Sequence, residues 1–385
     1  MRNRLLRPHQ PIRIGLHLLV PPGTVIEGLG AGAENLGDAA LSPDRRHDGP
    51  ERIVIAGADA DQDPHGVNGG KSRGIGSSAA ACRPLRAALF WRRGSEGETR
   101  VIVIGRGSVQ QEECDVMGHM NVRHYVARAC DALQWLLLEA GLPPSAGGYR
   151  LHDQHIRFLR EMPPGTPFTI LGGVLEQRGR VLRTLVEIRN SATGEPTATL
   201  VSDIEPEGRL HSLDALGVAL PDHAAPRGLA FDDPRPVPDL AAALAMGLAE
   251  AHRGVVRPQD CSAQGVMRPE GVIARVWDGV PNLRNGGKGL GVKEEGIGGA
   301  ALEYRLLHLR PLRAGQLVTV TSGLRALGSK TATWTHLLHD GETGKPVAAA
   351  EAVGVALDLV ARKAIALPPD RRAALEALLV PGLGL

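Results

Sequence analysis

Apolar residues at Val122, Val126, Ala129, Leu133, Leu136, Leu137 and Ala140 recur at helical spacing and predict one amphipathic helix over 122–140. Asn121 stands before it as a good N-cap and Gly141 just past its end, and Pro143 and Pro144 forbid continuation. Val101–Ile104 ahead of the helix is a short β-like run. Behind it lie Ile156–Leu159, Phe168–Leu175, Val181–Ile188 and Thr197–Ile204, with turns marked by Gly179 and by Thr193–Gly194. The predicted order is strand, helix, then several antiparallel strands.

The pattern then repeats. A shift of 147 residues aligns Cys114 with Cys261, Gly118 with Gly265, Met120 with Met267, Ala127–Arg128 with Ala274–Arg275 and Asp131 with Asp278. A shift of 150 aligns Gly165 with Gly315, Thr193–Gly194 with Thr343–Gly344 and Pro196 with Pro346. Two shifts differing by three residues are what a short loop insertion leaves, so the chain reads as two copies of one domain rather than a solenoid. Repeat 1 spans 99–206 and repeat 2 spans 251–365. Between them, 207–250 reads as a Pro- and Ala-rich linker with one short helix at Leu240–Ala251, and 366–385 as a C-terminal helical tail. In repeat 2, Pro269 suits a first helical turn and Pro281 ends the helix early.

Residues 1–98 show no sustained period. They read as a disordered extension or as translated sequence upstream of the true start. Two glycine-rich stretches there, Gly28–Gly37 and His65–Ser72, miss the spacing of dinucleotide and phosphate loops. Ile12–Val20 is short and holds Arg13 and His17, which argues against a signal segment. No apolar run approaches the roughly 18 residues a membrane span needs.

Charge changes the picture mainly by exclusion. With 44 basic and 42 acidic residues the net charge is +2, which argues against a nucleic-acid surface. The four cysteines (Cys82, Cys114, Cys130, Cys261) suit neither zinc nor a disulfide framework, so no metal and no cofactor are expected, and a reducing cytoplasm is the simplest compartment.

The chemistry concentrates in Cys114–Asp131, where Asp115, His119 and Asn121 fall within seven residues just before the helix. In repeat 2 the same places hold Ser262, Val266 and Arg268, so one copy keeps the polar set and the other has lost it. Asp115 can serve as general base or nucleophile. Gly118 permits a sharp turn, and the helix N-terminus offers free N–H groups to a developing oxyanion. Asn121 is open between capping and chemistry, and Tyr125 between core and pocket wall. Arg268 suits a phosphate of a substrate arm or simple solvation. Asn282–Gly291 reads as a phosphate contact or a surface loop. Glu303, ahead of the strand Tyr304–Leu309, is a candidate repeat 2 side chain to complete the repeat 1 site.

The run Asp115-Val-Met-Gly118-His119-Met-Asn121-Val-Arg-His-Tyr125 resembles the motif of the hotdog-fold thioesterases, of the 4-hydroxybenzoyl-CoA and acyl-carrier-protein types, and the resemblance covers roughly 100–365. It implies an α+β tandem (double) hotdog, each half a long helix wrapped by an antiparallel sheet, paired as an intrachain pseudo-dimer and open to further homo-oligomerisation. It also implies hydrolysis of an acyl thioester, foremost acyl-CoA or an acyl-carrier-protein conjugate, with Asp115, His119 and Asn121 catalytic and with Gly118, Tyr125, Arg268 and Glu303 at the substrate. Plant acyl-carrier-protein thioesterases carry Asn where this chain has Met117. The alternatives are a hotdog hydratase or dehydratase acting on enoyl thioesters and a non-catalytic acyl-CoA-binding protein.

Overall fold

The computed structural model describes residues 101–143, 148–210, 213–285, 288–289 and 296–385. The expectations for 1–98, including both glycine-rich decoys, and for part of Asn282–Gly291 lie outside the described residues.

Repeat 1 begins with β1 (Ile102–Ser108), followed by α1 (Val122–Glu139), β2 (Tyr149–Phe158), β3 (Pro167–Arg178), β4 (Val181–Asn190) and β5 (Pro196–Pro206). Asn121 caps α1 by accepting the Arg123 N–H at 3.1 Å. At the other end Gly141 takes φ +87°, with Leu142 N–H donating to Leu137 and Gly141 N–H to Leu138. These two bonds close the helix as a Schellman motif. Val126, Ala129, Leu133, Leu136 and Leu137 of α1 are buried. Each such large side chain stabilises the fold by about 1.5–3 kcal/mol through burial.

The strands are longer than the apolar runs suggest. β2 starts at Tyr149 because Asp153 and Gln154 pair with β5 although they break the hydrophobic alternation, and His152 is the extra residue of a register shift.

A connecting stretch with α2 (Leu240–Ala245) leads to repeat 2, which holds β6 (Ala249–Val255), α3 (Glu270–Gly279), a small ribbon of β7 (Arg284–Asn285) and β8 (Lys288–Gly289), β9 (Ile297–His308), β10 (Leu317–Leu327), β11 (Thr331–Asp340), β12 (Pro346–Asp358), β13 (Lys363–Ile365) and α4 (Pro369–Glu376). Pro281 does end the second helix early, at Gly279. The expected helix over 240–251 is shorter: Asp239 caps it at 2.9 Å, Gly247 stops it at φ +96°, and β6 follows to pair with β10.

The strands form one sheet in the order β1-β3-β4-β5-β2-β9-β12-β11-β10-β6, with β13 on β12. The repeats therefore join edge to edge, β2 against β9. Their antiparallel register runs from Asp153↔Leu307 to Arg157↔Glu303 and is centred on His155↔Arg305. Under the 150-residue shift His155 and Arg305 are equivalent, so a local pseudo-twofold axis passes between them, as in an isologous dimer.

The repeats match bond for bond. Asp115 N–H donates to His119 O, and Ser262 N–H to Val266 O; Met120 N–H donates to Met162 O, and Met267 N–H to Leu312 O; Asn121 N–H donates to Glu113 O, and Arg268 N–H to Asp260 O. Arg128 pairs with Glu113 in one copy and Arg275 with Asp260 in the other.

One face of the sheet joins α1 and α3 in a continuous apolar core. The other face is covered by the stretch expected to be a linker. Val218 and Ala224 pack on Leu185 and Val201, and Val218 N–H bonds to the Val174 carbonyl at 2.9 Å. The residues do not form a free tether, because both faces of β4 and β5 carry apolar side chains that need cover. On repeat 2, Ala243, Leu248, Val380 and Leu383 cover Leu307, Leu337 and Ala349. Only part of the C-terminal tail is thus helical, and the rest lies against the sheet.

Candidate active site

The 115–119 loop is a tight turn. Gly118 N–H donates to Asp115 O at 3.0 Å, and Asp115 Oδ1 accepts the Met117 N–H at 2.8 Å. Gly118 has φ +81°, and a Cβ there would meet nothing within 4 Å. The demand for glycine is therefore conformational rather than spatial.

His119 lies between two carboxylates, its Nδ1 3.9 Å from Asp115 Oδ1 and its Nε2 3.3 Å from Glu161 Oε1. The latter pair is too poorly aligned for a hydrogen bond. Glu161 forms an ion pair with Arg362, which comes from repeat 2. Arg362 holds φ +52°, a left-handed conformation that is uncommon outside glycine. A row of ionisable side chains thus runs Asp115, His119, Glu161, Arg362 across the repeats. At the helix start Asn121 Oδ1 engages Arg123 N–H, and Val122 N–H has no hydrogen-bond partner among the described residues. An unpaired N–H at a positive helix end is suited to a developing negative charge.

Asp115, Gly118, His119 and Asn121 come together on one turn. Three other residues stand apart from this turn. Tyr125 is core: it is 3% exposed, packs edge-on against Phe158 and donates to the Arg160 carbonyl. Burial first, then the nearby Glu161 charge, raises its phenol well above the usual range.

Arg268 is not at the motif. Its guanidinium bonds to the Gln259 carbonyl and pairs with Glu270, each at 2.9 Å. It lines a polar cleft of about 420 Å³ between α1 and α3 that includes none of Asp115, His119 or Asn121.

Glu303 lies on the wrong face of the sheet. Its neighbour Tyr304 points into the helix-side core. Glu303 meets His155 Nε2 at 2.5 Å and accepts the N–H groups of Arg227 and Gly228 at 2.9 and 2.6 Å. Burial pushes its carboxyl up, but these bonds outweigh burial and hold it below the usual carboxylate value. It anchors the covering stretch to the seam.

A side chain of repeat 2 does approach the repeat 1 motif, but it is Arg362, and it does so through Glu161. Glu161 and Arg362 carried no sequence signal, since neither lies in a motif or on a periodic face. Met162 beside Glu161 is placed by the bond from Met120 N–H, and that contact spans 42 residues of sequence. Among the described residues no cluster of His, Cys, Asp and Glu could hold a metal ion, and no helix is long and apolar enough to cross a membrane.

Residues 109–205, the stretch that carries the motif, match the family model of the thioesterase-like superfamily. No curated protein matches the chain. Solved structures similar to it include a putative oleoyl thioesterase from Lactobacillus plantarum, with 14% identity, 67% of this chain and 97% of that one covered, and a TM-score of 0.49. The 12:0-ACP thioesterase from Umbellularia californica shows 13% identity over 65% and 92%, with a TM-score of 0.45. An acyl-CoA thioesterase II from Mycobacterium marinum shows 15% identity over 67% and 96%, with a TM-score of 0.37.

Proposed function

We propose that the protein hydrolyses an acyl thioester, foremost an acyl-CoA, at a single site built on the Asp115–Asn121 turn. The observation that carries this reading is the half-buried Asp115 carboxylate, held one turn before a helix N-terminus inside the stretch that matches the thioesterase-like superfamily. Asp115 acts on the thioester carbonyl through an activated water or directly as nucleophile. The Val122 N–H and the helix dipole stabilise the oxyanion. A thiolate leaves readily, so no strong general acid is required. His119 stands between Asp115 and Glu161 beside the reacting carbonyl. We read the whole as a tandem hotdog acting as its own pseudo-dimer in the cytoplasm, with Ser262 marking the silent half.

The test is release of free thiol from a panel of acyl-CoA esters by wild type and by Asp115→Asn. Loss of a general base or nucleophile is expected to lower kcat by about 100-fold or more with the fold intact. An unchanged rate in a folded variant overturns the proposal.

A further inference from the structure

The two helices differ in length, and the difference leaves a space. In repeat 1, α1 runs 18 residues and its second half fills the volume over the sheet. In repeat 2, α3 stops after 10 residues, ahead of Pro281. Under its end lies a cavity of about 160 Å³, roofed by Trp277, Val280 and Leu283 and floored by Tyr304, Trp334 and Ala352. An apolar cavity of roughly this size (about 150 Å³) accommodates a benzene ring, and so about six carbons.

This cavity touches the motif of the other repeat. Gly298 is part of its wall, and a Cβ at Gly298 would fall 2.4 Å from Met117 Cε, so the Met117 side chain lies against that wall. The backbone N–H of Met117 donates to Asp115. One residue therefore contacts both the candidate catalytic carboxylate and the cavity.

The cavity also has a polar feature. Arg371, from α4, lines it, and its Nη1 is buried with no hydrogen-bond partner. No carboxylate lines the cavity among the described residues. The lining His336 supplies no negative charge, and burial pushes its imidazole down to about 4, so it is neutral near pH 7. A guanidinium nitrogen withdrawn from water into an apolar space calls for an acceptor, and a carboxylate matches its geometry best.

We propose that this cavity receives the acyl group of the thioester attacked at Asp115, and that the preferred acyl group is short, about six carbons, and ends in a carboxylate that pairs with Arg371. The substrate class is then the half-thioester of a short dicarboxylic acid. This rests on the thioesterase reading and adds the acyl group to it. The repeat that lost the motif would serve the reaction by holding what the motif cleaves.

The experiment compares adipoyl-CoA, hexanoyl-CoA and dodecanoyl-CoA as substrates of wild type, Arg371→Leu and Arg371→Gln. A charge-assisted hydrogen bond corresponds to roughly tenfold or more. Wild type should therefore favour adipoyl over hexanoyl by about that factor in kcat/KM and hydrolyse dodecanoyl more slowly than either. Both variants, checked for folding by circular dichroism, should bring the adipoyl-to-hexanoyl ratio near one. A wild-type ratio of one, or a ratio that survives both substitutions, overturns the proposal. Calorimetric binding of the same two esters is read alongside. If no ester is hydrolysed, the thioesterase reading fails, while the binding ratio and its loss in the variants still decide the cavity assignment.

Discussion

Asp115 and Ser262 stand at the same place on two turns of the same shape, with Gly118 at φ +81° and Gly265 at φ +71°. Each side chain accepts the N–H two residues on, at 2.8 Å from Met117 and at 3.3 Å from Gln264. The turn is thus kept in both copies and the charge in only one. Ser262→Ala is expected to leave thiol release within about twofold of wild type, because it removes only a surface hydrogen bond worth about 0.5–1.5 kcal/mol. Glu161→Gln takes one carboxylate from His119 and breaks the pair with Arg362. Both side chains of that pair are 39% exposed, so stability should hold while kcat falls by roughly tenfold, less than the about 100-fold or more of direct acid–base catalysis. Steady-state kinetics beside a thermal melt separates the two. The turn itself was legible from Asp115, Gly118, His119 and Asn121, since these are local. Glu161 and Arg362 were not, because their meeting depends on how two distant loops are brought together at the seam.

At the scale of elements, α1 was legible from end to end, because periodicity, an N-cap and a C-terminal glycine all act within a few residues. Asn121 tests whether the cap is only a cap. Asn121→Ala should cost about 1 kcal/mol, and Asn121→Ser should restore most of it, as both serine and asparagine cap well. Turnover that returns together with stability in the serine variant assigns Asn121 to capping; turnover that stays low assigns it to chemistry. β9 shows why Glu303 was misplaced. The pairing with β12 shifts between Val353 and Gly354, so Leu302 is an extra residue in β9, and one inserted residue turns every later side chain of the strand to the opposite face. On β11, His336 is 3% exposed and bonds through Nδ1 to Ser322 Oγ at 2.8 Å. Burial lowers its pKa from 6.5 to about 4. It is neutral in the fold and charges on unfolding, so its contribution is complete above pH 6.5 and drains away as pH falls toward 4. The loss should reach roughly 3 kcal/mol at about 1.4 kcal/mol per pKa unit. Urea titrations at pH 7 and 4.5 should show it in wild type and a smaller drop in His336→Asn.

Across the whole molecule, the seam between β2 and β9 is where the two repeats become one unit. Arg305 is fully buried there. It reaches Asp153 at 2.7 Å and also bonds to the Asp232 carbonyl. Burial pushes the Asp153 carboxyl up and Arg305 opposes that push. Removing one partner of such a pair leaves the other charged and dry, so Arg305→Ala should destabilise the protein by about 3–5 kcal/mol. Denaturant unfolding measures this directly. The duplication was legible because cysteine, glycine and methionine kept their spacing. The covering role of the 207–248 stretch was not, since its backbone is irregular and only the finished sheet presents the apolar face it lies on.

The charged pairs at the axis share the symmetry of the backbone around them, because the 150-residue shift carries Asp153 onto Glu303 and His155 onto Arg305. Arg305 finds Asp153, and His155 finds Glu303. Suppose the chain were cut at the exposed Pro234–Pro236 stretch and the pieces supplied separately. Two copies of the second piece joined through β9 would give each Arg305 a Glu303 from the other copy, and would set two buried guanidiniums side by side at the axis. Two copies of the first would give each Asp153 a His155 from the other copy in place of its arginine. Each fragment should therefore recognise the other through both pairs, so that the chain doubles as a split protein whose reassembly is encoded in four side chains.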